Sequence, residues 1–395
     1  MTFKVQVVYR NYIPLNSPYS SLWLKPPEGV EFSIPPVKAY LRNFYPIYRK
    51  FGDLGLVKWL VRQAQPLLFA QTQKIDACDA YFFVGMLPAK PLKKPYYIDI
   101  EHASALHNFL EDDATARSHR LAILEVLSSP MCRGIVPLSQ AAARSLQSYL
   151  GNEQQSLASK TKPIYPAIAH YQPLFGPEPS KLIPGHSRGG PFELLFVGKE
   201  PVGKGLYEVL DAFDRLIQQG RNIRLNIVTI ANKALNARLR RVRGPYRLFP
   251  PRFSTRELMV ELMSKCDLFV MPTHLDSFGM VYLEALSAGT PVIATSQFAL
   301  PEIVKKDCNG ILLEHPALFL DREGAPIPRR PEDLQVEAKT YQLIVDGLVK
   351  HIAHLAQDHE HLQFLRGNTG LDFAPGQRFS IEHRNQRLRE LFGLG

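Results

Sequence analysis

The sequence predicts an α/β protein made of two parallel-sheet domains. Short apolar runs alternate with longer stretches at helical spacing along both halves of the chain. At 395 residues the chain exceeds the roughly 100–200 residues of one domain. Residues 172–191 hold five prolines and four glycines, a composition that marks an interdomain boundary. The expected division is residues 1–178, residues 179–372 and a closing helical segment over 373–395.

In the first half the candidate strands are Val5–Tyr9, Ala80–Val84, Tyr96–Ile100, Ile135–Leu138 and a short one near Ile164. Helices are expected over Gly55–Gln71, from Leu106 or later to Ser128, and over Gln140–Leu150, while the Pro-, Ser- and Gly-rich stretch Pro14–Val37 reads as loop. The second half is cleaner. Glu193–Val197 reads as a buried strand ending at Gly198, and Gly205–Gln219 places Leu206, Val209, Leu210, Phe213, Leu216 and Ile217 at helical spacing before Gly220. Strands follow at Arg224–Ile230, Leu268–Met271, Pro291–Ala294 and Ile311–Leu313, with helices at Thr255–Ser264 and Phe278–Ala288. The chain from Pro331 onward is helical, ending in a charged helix over Phe379–Phe392. Repeated strand-loop-helix units put their loops at the carboxyl edge of a parallel sheet, where open α/β sheets bind ligands.

Hydrophobic residues at 45% and charged residues at 21% exclude the disordered class, and the absence of any run of 18 apolar residues excludes an apolar spanning helix. The N-terminal MTFKVQVVYR lacks the apolar core of a secretory signal, so a cytoplasmic location is expected. Cys78, Cys132, Cys266 and Cys308 are scattered without C-x-x-C spacing and read as thiols. The formal charge of +10 calls for an anionic partner: a nucleic acid, an acidic membrane or a phosphorylated substrate. Residues 38–63 mix Lys and Arg with Tyr40, Phe44, Tyr45, Tyr48, Phe51 and Trp59. That mixture suits a segment lying on anionic lipid at the inner face of a membrane, and equally an ordinary surface helix with its apolar side in the core. A second cluster, Arg238, Arg240, Arg241, Arg243, Arg247 and Arg252, reads as loop and helix end. No nucleic-acid recognition module accompanies it, so no specific nucleic acid is expected as a partner.

Three loops of the second half carry the chemistry. GKEPVGKG, Gly198–Gly205, offers Lys199 and Lys204 to a phosphate pair while its glycines admit close backbone approach; alone, it reads equally as a flexible loop with solvated lysines. It matches neither the dinucleotide fingerprint nor a Walker A loop. MPTHLDSFGMVYLEALSAGTPV, Met271–Val292, runs from a strand end through His274 and Asp276 into a helix bearing Glu284. The free N–H groups of that helix start, near Phe278, Gly279 and Met280, suit a diphosphate. SQFALPEIV, Ser296–Val304, places Pro301 and Glu302 at a helix start. The lysines already supply countercharge, so no metal is expected.

In this order the three loops resemble the retaining nucleotide-sugar glycosyltransferases of the GT-B fold, the large group 1 (family 4) class. The segments FVGKEPVGKG, FVMPTHLDSFGMVYLEALSAGTPVIAT and LPEIVKKDCNGILL carry the resemblance over about 120 positions, and YYIDIEHASAL, VPLSQAAARSL and IYPAI extend it loosely. It implies two Rossmann-like α/β/α domains facing a central cleft, with the acceptor on the N-terminal side, the donor on the C-terminal side and the terminal helix packing back on the first domain. It implies hexosyl transfer from a nucleotide-diphosphate sugar to a hydroxyl acceptor such as a glycolipid or cell-surface polysaccharide precursor, with no further cofactor. Lys199, where the family usually has Arg, and Lys204 would bind the diphosphate, together with Gly198 and the Phe278–Met280 helix start. Glu284 would hold the ribose, Asp276 the sugar hydroxyls, and His102 the transferred sugar or the acceptor hydroxyl. Further positions depart from the family pattern: Asp276 replaces its Glu, Phe298 and Ala299 replace its glycine pair, narrowing the donor pocket, its N-G-V-[DE] turn is represented only by Ala167 and Ile168, and no glycine-rich acceptor loop follows the first strand. Those departures motivate the alternative of a non-enzymatic sugar-nucleotide or glycan-binding protein on a decayed transferase scaffold.

Overall fold

The computed structural model describes residues 2–9, 20–34, 78–88, 90–106, 113–168, 190–316 and 336–394. The basic-aromatic segment 38–63, the helix expected over Gly55–Gln71 and nearly all of the 172–191 linker lie outside the described residues. The chain divides into two compact units: Met1–Leu138 with Ala143–Ile164 and Asn385–Gly395, and Ser139–Ala142 with Tyr165–Arg384.

The first unit holds a five-stranded parallel sheet of β1 (Phe3–Tyr9), β2 (Val30–Ser33), β3 (Ala80–Val84), β4 (Tyr96–Ile100) and β5 (Cys132–Pro137) in the order β2-β1-β3-β4-β5. Alternation sorts its side chains onto two faces. On one, Phe83, Tyr96, Ile98, Ile100 and Ile135 pack with Leu127 of helix α2 (Asp113–Ser128). On the other, Val5, Val7, Ala80, Phe82, Tyr97 and Val136 pack with Leu388, Leu391 and Phe392 from the end of the chain. Every residue of β4 is buried, as expected of a parallel strand covered on both faces.

The second unit holds a six-stranded parallel sheet in the order β11-β10-β9-β6-β7-β8. Its strands are β6 (Phe192–Val197), β7 (Ile223–Val228), β8 (Tyr246–Phe249), β9 (Leu268–Val270), β10 (Val292–Thr295) and β11 (Gly310–Leu313). Helix α4 (Leu206–Gln218) buries Leu206, Val209, Leu210, Phe213 and Leu216 of the stripe the sequence predicted and leaves its last member, Ile217, half-buried. Gly220, at φ +78°, ends it: Gly220 N–H bonds Ile217 O and Arg221 N–H bonds Leu216 O, reclaiming carbonyls the helix end leaves open. Helix α6 (Thr255–Glu261) starts with a reciprocal Ser254–Glu257 cap. Helix α7 (Met280–Ser287) follows β9, and α9 (Ala338–Leu355) leads into α10 (His359–Asn368). Arg215 of α4 meets Asp346 of α9 at 2.6 Å.

Three local expectations are corrected. Pro14–Val37 is not all loop: α1 (Ser20–Leu24) and β2 form there, because Leu22 and Val30 are buried and Val30 pairs with Phe3 of β1, so tertiary pairing overrides turn-rich composition. The arginine cluster is not loop and helix end alone. It spans α5 (Lys233–Leu239), capped by Asn232, and the edge strand β8, whose mostly exposed residues lack an apolar period. The short strand near Ile164 reduces to an isolated bridge between Ile135 and Thr161, with Ile164 N–H bonding Pro137 O.

Candidate functional site

Strand order dictates where a ligand site can form in the second unit. From β6 the chain steps through α4 to β7 and β8 on one side, then returns to β9 on the other side of β6. At that reversal the loops leaving β6 and β9 diverge and leave a crevice at the carboxyl edge. The loop leaving β6 is Gly198–Gly205, and the loop leaving β9 is Met271–Gly279. Topology therefore brings together two of the three loops singled out in the sequence.

These loops are bonded into one piece. The carbonyl of Gly203 accepts from His274 N–H (2.8 Å), Leu275 N–H (3.3 Å) and Thr273 Oγ1 (3.0 Å). Lys204 Nζ donates to Leu275 O and to Asp276 Oδ2, each at 2.8 Å. The Lys204 and Asp276 side chains remain 27% and 14% exposed, so the pair is partly open to solvent rather than sealed in the core. Glu200 folds its carboxylate back over its own loop and accepts from the N–H groups of Val202 and Gly203. Gly205 sits at φ +76°, and a Cβ there would lie 2.3 Å from the carbonyl oxygen of Pro272, so only glycine allows this approach of loop to strand end. Gly198 is buried at the end of β6, and Lys199 beside it is exposed.

Beneath the crevice lies a polar chain that the sequence reading missed. His274 Nε2 meets Glu208 Oε1 at 2.8 Å, and its Nδ1 meets His315 Nε2 at 2.8 Å. His315 Nδ1 donates to Pro316 O at 2.6 Å and lies beside the Gln297 side-chain amide. Glu208, His274, Gln297 and His315 are all buried. Burial, with His274 alongside, pushes the His315 imidazole down to about 4, so it is neutral at physiological pH. The chain ties α4, the loop leaving β9 and the ends of β10 and β11 into one frame.

Helix α7 starts at Gly279, at φ +95°, where a Cβ would lie 2.4 Å from the Leu300 side chain. Met280 opens the helix, and its N-cap, Gly279, has no side chain to offer the first turn. Phe278 is 3% exposed, its ring grouped with Tyr165 and Phe379 at 6.3 and 6.5 Å, so only its backbone is available to a ligand. Glu284 lies further along α7, buried, and burial pushes its carboxyl up to about 8 against the opposing hydrogen bond of Thr255. Phe298 adopts φ +41°, the left-handed region a glycine takes without strain, and Ala299 after it is 1% exposed. In the first unit, His102 is buried just beyond the carboxyl end of β4. Near it, Ala103 N–H donates to Ser145 Oγ, and buried Asp99 accepts from Gly85 N–H at 2.6 Å.

Residues 191–322 match the family model described as glycosyl transferases group 1. The glycogen synthase of Mycobacterium tuberculosis is 34% identical over 131 residues, 31% of this chain and 30% of that protein. The D-inositol 3-phosphate glycosyltransferase of Geodermatophilus obscurus is 34% identical over 110 residues, 26% of this chain and 24% of that one. The match thus spans less than a third of the length of either relative. Among solved structures, Anabaena Alr3699/HepE in complex with UDP-glucose superposes over 100% of both chains with a TM-score of 0.61 at 16% identity. A glycosyltransferase from Rickettsia africae does so at 0.59 and 13%. At such identities the likeness speaks to the fold, and that fold is GT-B.

Proposed function

We propose that this chain, whose residues 191–322 match the glycosyl transferases group 1 model, is a retaining hexosyltransferase moving a sugar from a nucleotide-diphosphate sugar to a hydroxyl acceptor. The observation that carries this is the joining of the lysine loop and the Asp276 loop at the β6/β9 reversal, with Lys204 Nζ 2.8 Å from Asp276 Oδ2. An ammonium has three donors. Two are engaged by Leu275 and Asp276, and the third is assigned to a diphosphate oxygen.

We assign the roles of the surrounding residues accordingly. Lys199 and Lys204 neutralise the charge that develops on the departing nucleoside diphosphate, where fixed positive charge lowers the barrier most. The start of α7 at Gly279 and Met280 is assigned to receive the diphosphate through backbone N–H groups. A buried carboxyl that is largely protonated near neutral pH both donates and accepts, which suits Glu284 to a ribose diol. Asp276 is assigned to the sugar hydroxyls and His102 to orienting the sugar or the acceptor hydroxyl. The leaving phosphate, on the same face as the acceptor, takes its proton, so the anomeric configuration is kept without a protein nucleophile. Phe298, held left-handed, and Ala299 are assigned to narrow the donor pocket relative to a glycine pair. The acceptor is assigned as a glycan or lipid-linked precursor, met in the cytoplasm or at the inner face of an anionic membrane. Among the described residues no helix is long and apolar enough to cross a membrane.

The test is a thermal-shift screen of the full chain against UDP-, GDP- and ADP-sugars, followed by product analysis of each hit across an acceptor panel. UDP-glucose comes first because it is bound in the Anabaena structure. Retained anomeric configuration in the product supports the reading; inverted product or the absence of any donor hit sinks it. Asp276 and Phe298, where the resembled family has Glu and Gly, also favour a second reading, a sugar-nucleotide or glycan-binding protein. Tight donor binding without turnover across the panel would select that reading.

A further inference from the structure

We propose that His354, Asp358 and His361 form a divalent transition-metal site, suited to Zn²⁺, at the junction of α9 and α10. His354 closes the last turn of α9, Asp358 caps α10, and His361 lies in the first turn of α10. Their ligand atoms all lie within 4.8 Å of one another. His354 Nε2 is 3.0 Å from His361 Nδ1 and 3.7 Å from Asp358 Oδ2. Tetrahedral zinc with bonds of about 2.0–2.1 Å spaces its ligand atoms about 3.3 Å apart, midway between these two separations.

The backbone holds the three groups in place without a metal. Gln357 and Asp358 N–H groups both bond His354 O, at 3.0 and 2.8 Å, making the turn between the helices tight. The Asp358 carboxylate divides its work. Oδ1 accepts from His361 N–H at 2.9 Å as the helix cap, while Oδ2 lies 3.7 Å from His354 Nε2. A cap that fixes the orientation of a ligand carboxylate is what a metal site needs around it. Two imidazoles and a carboxylate leave the fourth position to water, and partial exposure gives the ion a path in. No ligand spacing is evident in the sequence HLAQDHEH, because the grouping depends on the turn. Bound metal would clamp α10 to α9, the helix that packs on α4.

The experiment is titration of the untagged full chain with ZnCl₂ against a chromophoric chelator, with melting temperature as a second readout. One equivalent should bind and raise the melting temperature, because the native turn binds and the unfolded chain does not. His354→Ala and His361→Ala should each weaken binding at least about tenfold. Asp358→Asn, which retains a capping oxygen but loses the charge, should weaken binding while leaving the zinc-free melting temperature unchanged. His383→Ala, on the terminal helix, should bind as the parent does. Zinc bound equally well by the His354→Ala/His361→Ala double variant, or no zinc bound by the parent chain, would overturn the proposal.

Discussion

The two units build the same kind of sheet and use its carboxyl edge differently. In the second, the loops leaving β6 and β9 flank the strand-order reversal and are bonded to each other through Gly203, Lys204 and Asp276. In the first, the reversal falls between β1 and β3, whereas His102 follows β4, one strand further along. Both units bury a carboxyl group whose pKa burial raises, Asp99 in one and Glu284 in the other, and both place a left-handed glycine beyond a strand. The contrast shows that a parallel sheet supplies an address, and that cross-bonding of the loops at that address fixes their geometry.

The largest expected break of this contrast is in turnover. Lys204→Ala should lower kcat for the best donor about 10²- to 10³-fold, the scale for losing one preorganised charge at a developing anion, measured on the donor identified by the screen. The next is steric. Gly205→Ala, with φ +76° and Pro272 O at 2.3 Å from the new Cβ, should cost roughly 3 kcal/mol or more. Gly85→Ala, with φ +59° and nothing within 4 Å, should cost only the left-handed penalty of about 1–2 kcal/mol. Urea unfolding of both variants compares the two loops directly, and equal losses would show that the close approach does not constrain the second.

The third expectation concerns pH. The folded pKa of Glu284, about 8, lies above its ordinary 4.5, so its contribution to stability is full below about 4.5 and is lost as pH rises toward 8. Glu284→Gln should flatten the dependence of unfolding free energy on pH across that window, and Asp99→Asn should act in the same direction in the first unit. A Glu284→Gln profile parallel to the parent's would contradict the burial account. The smallest effect is Asp276→Ala. The pair with Lys204 is partly exposed, so stability should change by less than about 1 kcal/mol while donor affinity falls.

Legibility followed sequence separation. The stripe of α4, the loop Gly198–Gly205 and the start of α7 depend on neighbours within a few positions, and their signals were local. The chain Glu208, His274, His315 and Gln297 joins residues 66, 41 and 18 positions apart, and no periodicity marks such partners. Strand β8 was obscured because an exposed edge strand has no buried face to impose alternation. Phe298 shows the reverse case. Its departure from a glycine pair was plain in the sequence, but the left-handed backbone that makes the departure informative appears only in three dimensions.

The triple acceptance at Gly203 O has a calorimetric consequence. A loop already fastened to its neighbour has few conformations left to surrender, so a diphosphate arriving there orders little protein. Binding should then show a small entropic penalty and a heat-capacity change set by the apolar area the ligand covers. Severing one fastening with Thr273→Val should move the binding entropy in the unfavourable direction before it moves the number of contacts, since what weakens first is the readiness of the loop.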